Sequence, residues 1–267
     1  MRTRRLTGSA LGVTAAFALA VSGCSEGAGT AQPGPSATPS ASASSSAADP
    51  AAASALGAAA ATLGNTSFKL TLTAGPALKM TGTVDAPNSR GAATLNATGP
   101  NTDITVQTRL VGEDLYVQVA GVTKAGTWTR IDGSRLPEGA NIGLRPGQID
   151  PANTAQLLTS TTDVRQTAPG SFEGTVDLTK VAGVAGVNKV TVDGYGAAAE
   201  DVPFTAGLDE QGRLSALTIQ LPPVNGQQAQ PLEILYTDYG IAVEDLTPAP
   251  SEVVEAPDNL YTTLGGR

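Results

Sequence analysis

Residues 103–119 read DITVQTRLVGEDLYVQV, and this stretch decides the fold. Ile104, Val106, Thr108 and Leu110 alternate with Thr105, Gln107 and Arg109; beyond Gly112-Glu113-Asp114, Leu115, Val117 and Val119 resume the alternation. A period of two places successive side chains on opposite faces of a strand, so each run has one apolar and one polar side. Two such runs joined by a short polar turn predict an antiparallel hairpin. Glu113 and Asp114 read as that turn and not as a carboxylate pair, since neighbours on extended chain point apart.

The same period extends upstream. Phe68, Leu70 and Leu72 alternate with Lys69, Thr71 and Thr73, and Met80 and Gly82 alternate with Thr81 and Thr83. Turn signals at Ala74-Gly75-Pro76, Ala86-Pro87-Asn88 and Gly99-Pro100-Asn101 separate the runs, so an antiparallel meander with one apolar face is expected. Ahead of it, residues 51–63 are Ala-rich with Leu56 and Leu63, and Gly64-Asn65 is a suitable helix stop. Downstream, Asp150-Pro151 predicts an N-capped helix over 152–161 with Leu157 and Leu158 on its apolar side. Residues 178–187 are a second helical candidate, weakened by Gly183 and Gly186. Strands are expected at 171–176, 202–208, 214–221 and 232–239, with a charged hairpin turn at 209–213. After Tyr239 the chain turns Pro-rich and acidic, with one short helical turn expected at 251–255.

Composition narrows the chemistry. Of 267 residues, 40% are hydrophobic and only 15% charged; 16 Lys and Arg face 24 Asp and Glu, a net charge of -8. There is one cysteine and no histidine. That excludes an intramolecular disulfide, a Cys-rich metal site, a Ser-His-Asp triad and an HExxH zinc site. The acidic balance argues against nucleic acid, which calls for a basic stripe. No cofactor is expected, since neither a phosphate-binding loop nor a dinucleotide fingerprint is present.

The lone cysteine has a telling position. Arg2, Arg4 and Arg5 precede an uncharged apolar run over 10–21, and Val21-Ser22-Gly23-Cys24 follows. A helix over that run would rise only about 18 Å, too short to span a bilayer, whereas a leader ending in small residues before Cys is a lipobox arrangement. The expected layout is a signal peptide over 1–23, a lipidated Cys24 heading a disordered Ala/Ser/Pro tether over 24–50, a globular domain over 51–250 and an acidic tail over 251–267. Losing the leader leaves 13 basic against 24 acidic residues, a net charge of -11. Anionic head groups would repel such a body, so acyl chains and not electrostatics are expected to hold it at the outer face of a bacterial cell membrane. The tether, as a flexible coil, would span roughly 30 Å.

This layout resembles the LppX/LprA/LprF/LprG lipoproteins of actinobacteria, within the group sharing the LolA/LolB-like fold. The local likeness is carried by Val111-Gly112-Glu113-Asp114-Leu115-Tyr116-Val117, by Thr127-Trp128-Thr129-Arg130-Ile131-Asp132, and by Tyr236-Thr237-Asp238-Tyr239-Gly240 with Val243 and Pro248. The resemblance spans roughly residues 51–255. It implies an α+β fold in which a curved antiparallel half-barrel, packed by a few helices, encloses an apolar cavity for acyl chains. It further implies binding, and transfer, of acylated lipids or glycolipids. This chain is poorer in aromatics, at 4%, and relies on smaller apolar residues.

The inner face is expected to carry Leu70, Leu72, Met80, Ile104, Val106, Leu110, Leu115, Val117 and Val119, with Leu157 and Leu158 contributed by the helix; Thr71, Thr105, Gln107 and Gln118 should face out. Trp128, Tyr116, Tyr236 and Tyr239 read as strand packing. Glu244, Asp245, Glu252, Glu255 and Asp258 lack calcium-loop spacing and read as a solvated tail. No metal site and no catalytic residue is expected. Besides the lipid carrier, two functions remain open: an envelope sensor or interaction module that partners another protein, and a hydrolase using carboxylates alone, which would need two acids converging in a cleft.

Overall fold

Asp49 and Pro50 supply both local signals of a helix start. The Asp49 side chain accepts a hydrogen bond from the Ala51 N–H at 2.9 Å, and Pro50 occupies the first helical position of α1 (Pro50–Ala61). The helix buries Ala52, Leu56, Ala59 and Ala60, then tightens into a 3-10 turn at Thr62–Asn65. The computed structural model describes residues 48–99, 103–136, 144, 150, 152–181, 189–223 and 228–264. The leader, Cys24, most of the tether, Pro151 and residues 182–188 lie outside the described residues.

Six strands follow: β1 (Ser67–Ala74), β2 (Leu78–Asp85), β3 (Arg90–Thr98), β4 (Asp103–Val111), β5 (Asp114–Val119) and β6 (Trp128–Asp132). After α2 (Thr154–Thr159) come β7 (Thr161–Ala168) and β8 (Ser171–Val176). Then follow α3 (Lys189–Tyr195), β9 (Val202–Leu208), β10 (Leu214–Leu221), β11 (Gln230–Thr237), β12 (Val253–Glu255) and α4 (Asp258–Leu264). The sheet order is β12-β6-β5-β4-β3-β2-β1-β11-β10-β9-β8-β7. Two antiparallel meanders, β1–β6 and β7–β11, are joined through the β1–β11 pair. The result is a mostly-sheet α+β fold, an open curved sheet with few helices, consistent with a half-barrel. Helix α1 packs against α2, β7 and β10, so the helical cover lies over the β7–β11 half.

Several sequence expectations are corrected. The helix expected over 152–161 is only Thr154–Thr159, and a strand begins at Thr161. Three hydroxyls end it by bonding back to helix carbonyls: Thr159 to Gln156, Ser160 to Leu157 and Thr161 to Leu158, at 2.6–2.9 Å. Of the second helical candidate, the described part is a 3-10 turn at Leu178–Val181, while α3 lies beyond the expected range. Strands β3 and β7 were not foreseen. The sheet is mixed and not purely antiparallel, because β12 runs parallel to β6. Residues 251–255 are a 3-10 turn followed by β12, not one helical turn.

The acidic tail is stitched into the fold. Glu255 pairs with Arg130 at 3.1 Å, and Asp258 pairs with Arg135 at 2.7 Å. Tyr261 is buried, and its hydroxyl accepts from the Asp132 N–H at 3.0 Å. The segment leading to β12 also helps to bury Trp128, which lies on the polar side of the sheet with Tyr116. The Arg109 guanidinium lies 4.2 Å over the Trp128 ring and donates to the Leu246 carbonyl at 3.3 Å.

Gly174 shows where the sheet demands a missing side chain. Asp163, at φ 52°, bulges β7 toward β8, and a Cβ on Gly174 would meet the Thr162 carbonyl at 2.8 Å and Phe204 Cε1 at 2.9 Å. Gly174→Ala should therefore destabilise the fold by about 1–3 kcal/mol, read as a lower urea midpoint.

Candidate functional site

Strand register lays rungs of side chains across the face that carries Leu70 and Leu72. One rung runs Phe68, Val84, Gly91, Leu110, Leu115 and Ile131 across β1–β6. Its side chains are 0–4% exposed, and a Cβ on Gly91 would already meet Leu144 at 3.3 Å. This end of the face is packed. Two residues along each strand, Leu70, Gly82, Ala93, Thr108 and Val117 form the next rung.

Then the cover thins. Leu72, Met80, Leu95, Val106 and Val119 make a third rung, in which all but Leu72 are half-buried. Ala74, Leu78, Ala97 and Ile104 make a fourth, and Ile104 is 43% exposed. Along β4 alone, burial falls from Leu110 through Val106 to Ile104. No charged side chain stands in these two outer rungs, which span roughly 19 Å across five strands at ordinary strand spacing. Contiguous apolar surface of this kind marks a binding face more often than do scattered exposed residues.

The opposite face is polar in register. Thr71, Thr81, Thr94, Gln107 and Gln118 form a cross-strand row, and Thr105 donates to Asn96 Oδ1 at 3.0 Å. An open depression of about 380 Å³ lies there, lined by Lys69, Thr71, Thr81, Thr83 and Thr94 among others. Its lining is threonine-rich, unlike the outer rungs.

The residues expected on the inner face are thus brought together unequally. Leu70, Leu72, Leu110 and Leu115 are core; Met80, Val106, Val117 and Val119 are half-buried; Ile104 is exposed at the rim. Leu157 and Leu158 are buried on α2, whose contacts are with α1 and the turn at Leu178–Val181, apart from the outer rungs. Leu78, Leu95 and Ala97 were missed. Only the parity of β3 could have disclosed the last two, and it is carried mostly by Gly and Ala.

One buried polar cluster ties α2 to the sheet. Asp150 accepts from the Thr154 N–H at 2.6 Å and the Ala152 N–H at 3.1 Å, the capping role its sequence position suggests. The Tyr236 hydroxyl lies 2.5 Å from Thr154 Oγ1 and 3.5 Å from Asp150 Oδ1. Burial raises the pKa of Asp150, opposed by the backbone donors, and burial beside Asp150 pushes Tyr236 well above its ordinary value. The Tyr239 hydroxyl donates to the Leu214 carbonyl. These bonds are structural: Tyr236 stands opposite Leu70 in register, so the cluster belongs to the helix-covered part of the same face, away from the outer rungs.

A raised carboxylate pKa has a signed consequence. The folded state holds the Asp150 proton more tightly than the unfolded chain does. The resulting stabilisation is complete below the unfolded value of about 4 and is lost as pH rises through the folded value. Asp150→Asn keeps a capping side chain but cannot titrate. The stability of the natural protein relative to this variant should fall as pH rises above about 4, read from a series of urea midpoints; a constant difference would contradict it.

Among the described residues, no group of three or more acidic or Cys side chains is placed to hold a metal ion, and no helix is long and apolar enough to cross a membrane. What the face can do chemically is remove apolar surface from water. Neither a protein-family model nor a curated protein sequence matches this chain.

Proposed function

We propose that this protein is a lipid-anchored lipoprotein of the LppX/LprA/LprF/LprG-like kind, with a LolA/LolB-like fold, which binds an acylated lipid or glycolipid on the outer apolar rungs of β1–β5. In this reading, acyl chains on Cys24 hold it at the outer face of a bacterial cell membrane, and it does no covalent chemistry. The observation that carries the proposal is the burial gradient. The same face that is packed solid at Leu110 and Leu115 stays apolar but is only half-covered at Val106 and exposed at Ile104. Apolar side chains on a sheet are ordinarily covered, and an acyl chain supplies cover without asking for a polar partner. Burial gains about 0.8 kcal/mol per methylene, so eight methylenes would contribute roughly 6 kcal/mol. The lipid would complete the cavity that the family resemblance implies.

The test uses the Cys24→Ser variant, so that the protein's own anchor cannot be mistaken for cargo. Organic extracts of the purified protein should contain lipid at close to one equivalent, identified by mass spectrometry. A folded protein that yields no lipid would overturn the carrier reading. An exposed apolar face is also what a protein interface presents. Capture of a specific membrane protein by a lipid-free chain would therefore establish the sensor or interaction module instead.

A further inference from the structure

The two edges of the sheet differ in a way that the carrier reading does not use. Strands β1, β3 and β5 run toward one edge and β2 and β4 run away from it, so the connections at 75–77 and 120–127 and the facing strand ends Thr98 and Asp103 gather there. The excursion from Val176 to Val202, which includes α3, leaves and returns at the same edge, as the β8–β9 register requires. The outer apolar rungs open toward this edge.

Among the described residues, Ile104 is 43% exposed at the start of β4 and Val122 is 80% exposed in the 120–127 connection, both at this edge; Val190 is 81% exposed on α3, while Leu235 on β11 and Val254 on β12 are exposed elsewhere. The lysines favour this edge. Of the five in the chain, Lys79, Lys124, Lys180 and Lys189 lie at this edge, and only Lys69 lies near the other. Lys180 and Lys189 are neutralised by Asp177 and Asp193 at 3.0 and 2.9 Å. Lys79 and Lys124 form no salt bridge among the described residues, and both are exposed: Lys124 two residues from Val122, Lys79 on the polar face at the start of β2, in register with Asn96. Asp103, Glu200 and Asp201 keep the edge from being strongly basic.

We infer that this edge is a membrane-contact tip: Val122 and Ile104 enter the head-group region of a phospholipid bilayer while Lys79 and Lys124 meet the phosphates. The inference rests on the carrier reading, because it gives the apolar rungs a mouth opening onto the lipid they would take up. Apolar tips flanked by flexible cations suit an interface, since the lysine stem lies along apolar surface while its ammonium stays wet. The acidic remainder of the body opposes broad adhesion, so contact is confined to the tip. The connections along one edge of a curved sheet are also the parts that can meet a plane together.

The test places single tryptophans in the full chain, reconstituted in phosphatidylcholine–phosphatidylglycerol vesicles with or without brominated acyl chains, the unsubstituted protein giving the Trp128 background. Val122→Trp should shift its emission to the blue and lose at least half its intensity to brominated lipid. Gln211→Trp, in the 209–213 turn at the opposite edge, should do neither. Equal emission of Val122→Trp in both vesicles, or equal quenching at both positions, would overturn the inference. Lipid extracted from the same preparations separates the two claims. Cargo without quenching sinks the tip alone, and quenching without cargo sinks the carrier reading and leaves the tip as a plain membrane contact.

Discussion

Replacing Ile104 and Val106 together by aspartate should reduce lipid recovered with the Cys24→Ser protein at least tenfold, while the fold survives. The two side chains occupy successive outer rungs of β4, one 43% exposed and the other half-buried, so neither is sealed into the core. Their carboxylates can stay hydrated in the empty protein, and the cost to stability should be about 1–2 kcal/mol, mostly lost strand preference. Beneath an acyl chain the same carboxylates would be desolvated with no cationic neighbour on the rung. That costs several kcal/mol, more than the 1.4 kcal/mol equivalent to a tenfold change in affinity. Thr94→Asp and Gln107→Asp, a cross-strand pair on the opposite face of β3 and β4, should leave lipid recovery unchanged. Equal losses from both faces, read by mass spectrometry of the extracts, would show that charge acts here through folding and not through a binding surface.

The second large effect is on stability. Phe68 is fully buried, its ring edge-on to Tyr236 at 5.5 Å and tilted against Tyr239 at 5.9 Å. Tyr236 in turn reaches Thr154 on α2. Phe68→Ala opens a cavity where β1, β11 and the helical layer meet, and should cost about 3–5 kcal/mol. Met80→Ala, half-buried two rungs away, should cost less than half as much in the lipid-free protein, because its side chain still touches water. The contrast between the two urea midpoints measures where packing ends and the uncovered face begins. If Met80→Ala proves as costly as Phe68→Ala, the outer rungs are ordinary core.

Much of this was legible from residue alternation. Strands with large apolar residues every second position, β1, β4, β5, β9, β10 and β11, were readable because the inward side chains must be big enough to fill a core. β3 was not, since Gly91, Ala93 and Ala97 face inward where Leu144 and Leu70 crowd the sheet, and small residues carry no periodic signal. β7 was hidden for a different reason. It is a polar edge strand broken by the Asp163 bulge, and its threonines continue directly from α2, whose end is set by hydroxyl back-bonding and not by Gly or Pro. The terminal segment read as solvent-facing because its three acids face a single basic residue and lack calcium-loop spacing. Its place in the sheet depends on Arg130 and Arg135, more than 120 residues away, and no local pattern reports such a pairing. The inner-face residues were found by parity, but their unequal cover, which makes the site, follows from where the helices dock.

The most direct measurement of the central claim is where an acyl chain touches. The Cys24→Ser protein, loaded with a fatty acid bearing a diazirine near its methyl end, is irradiated, digested and mapped by mass spectrometry. Adducts should fall on Met80, Leu95, Val106 and Val119, with none on Thr81, Thr94 or Gln107. Adducts spread over the threonine face, or absent from a folded and loaded sample, would contradict a binding surface on the outer apolar rungs.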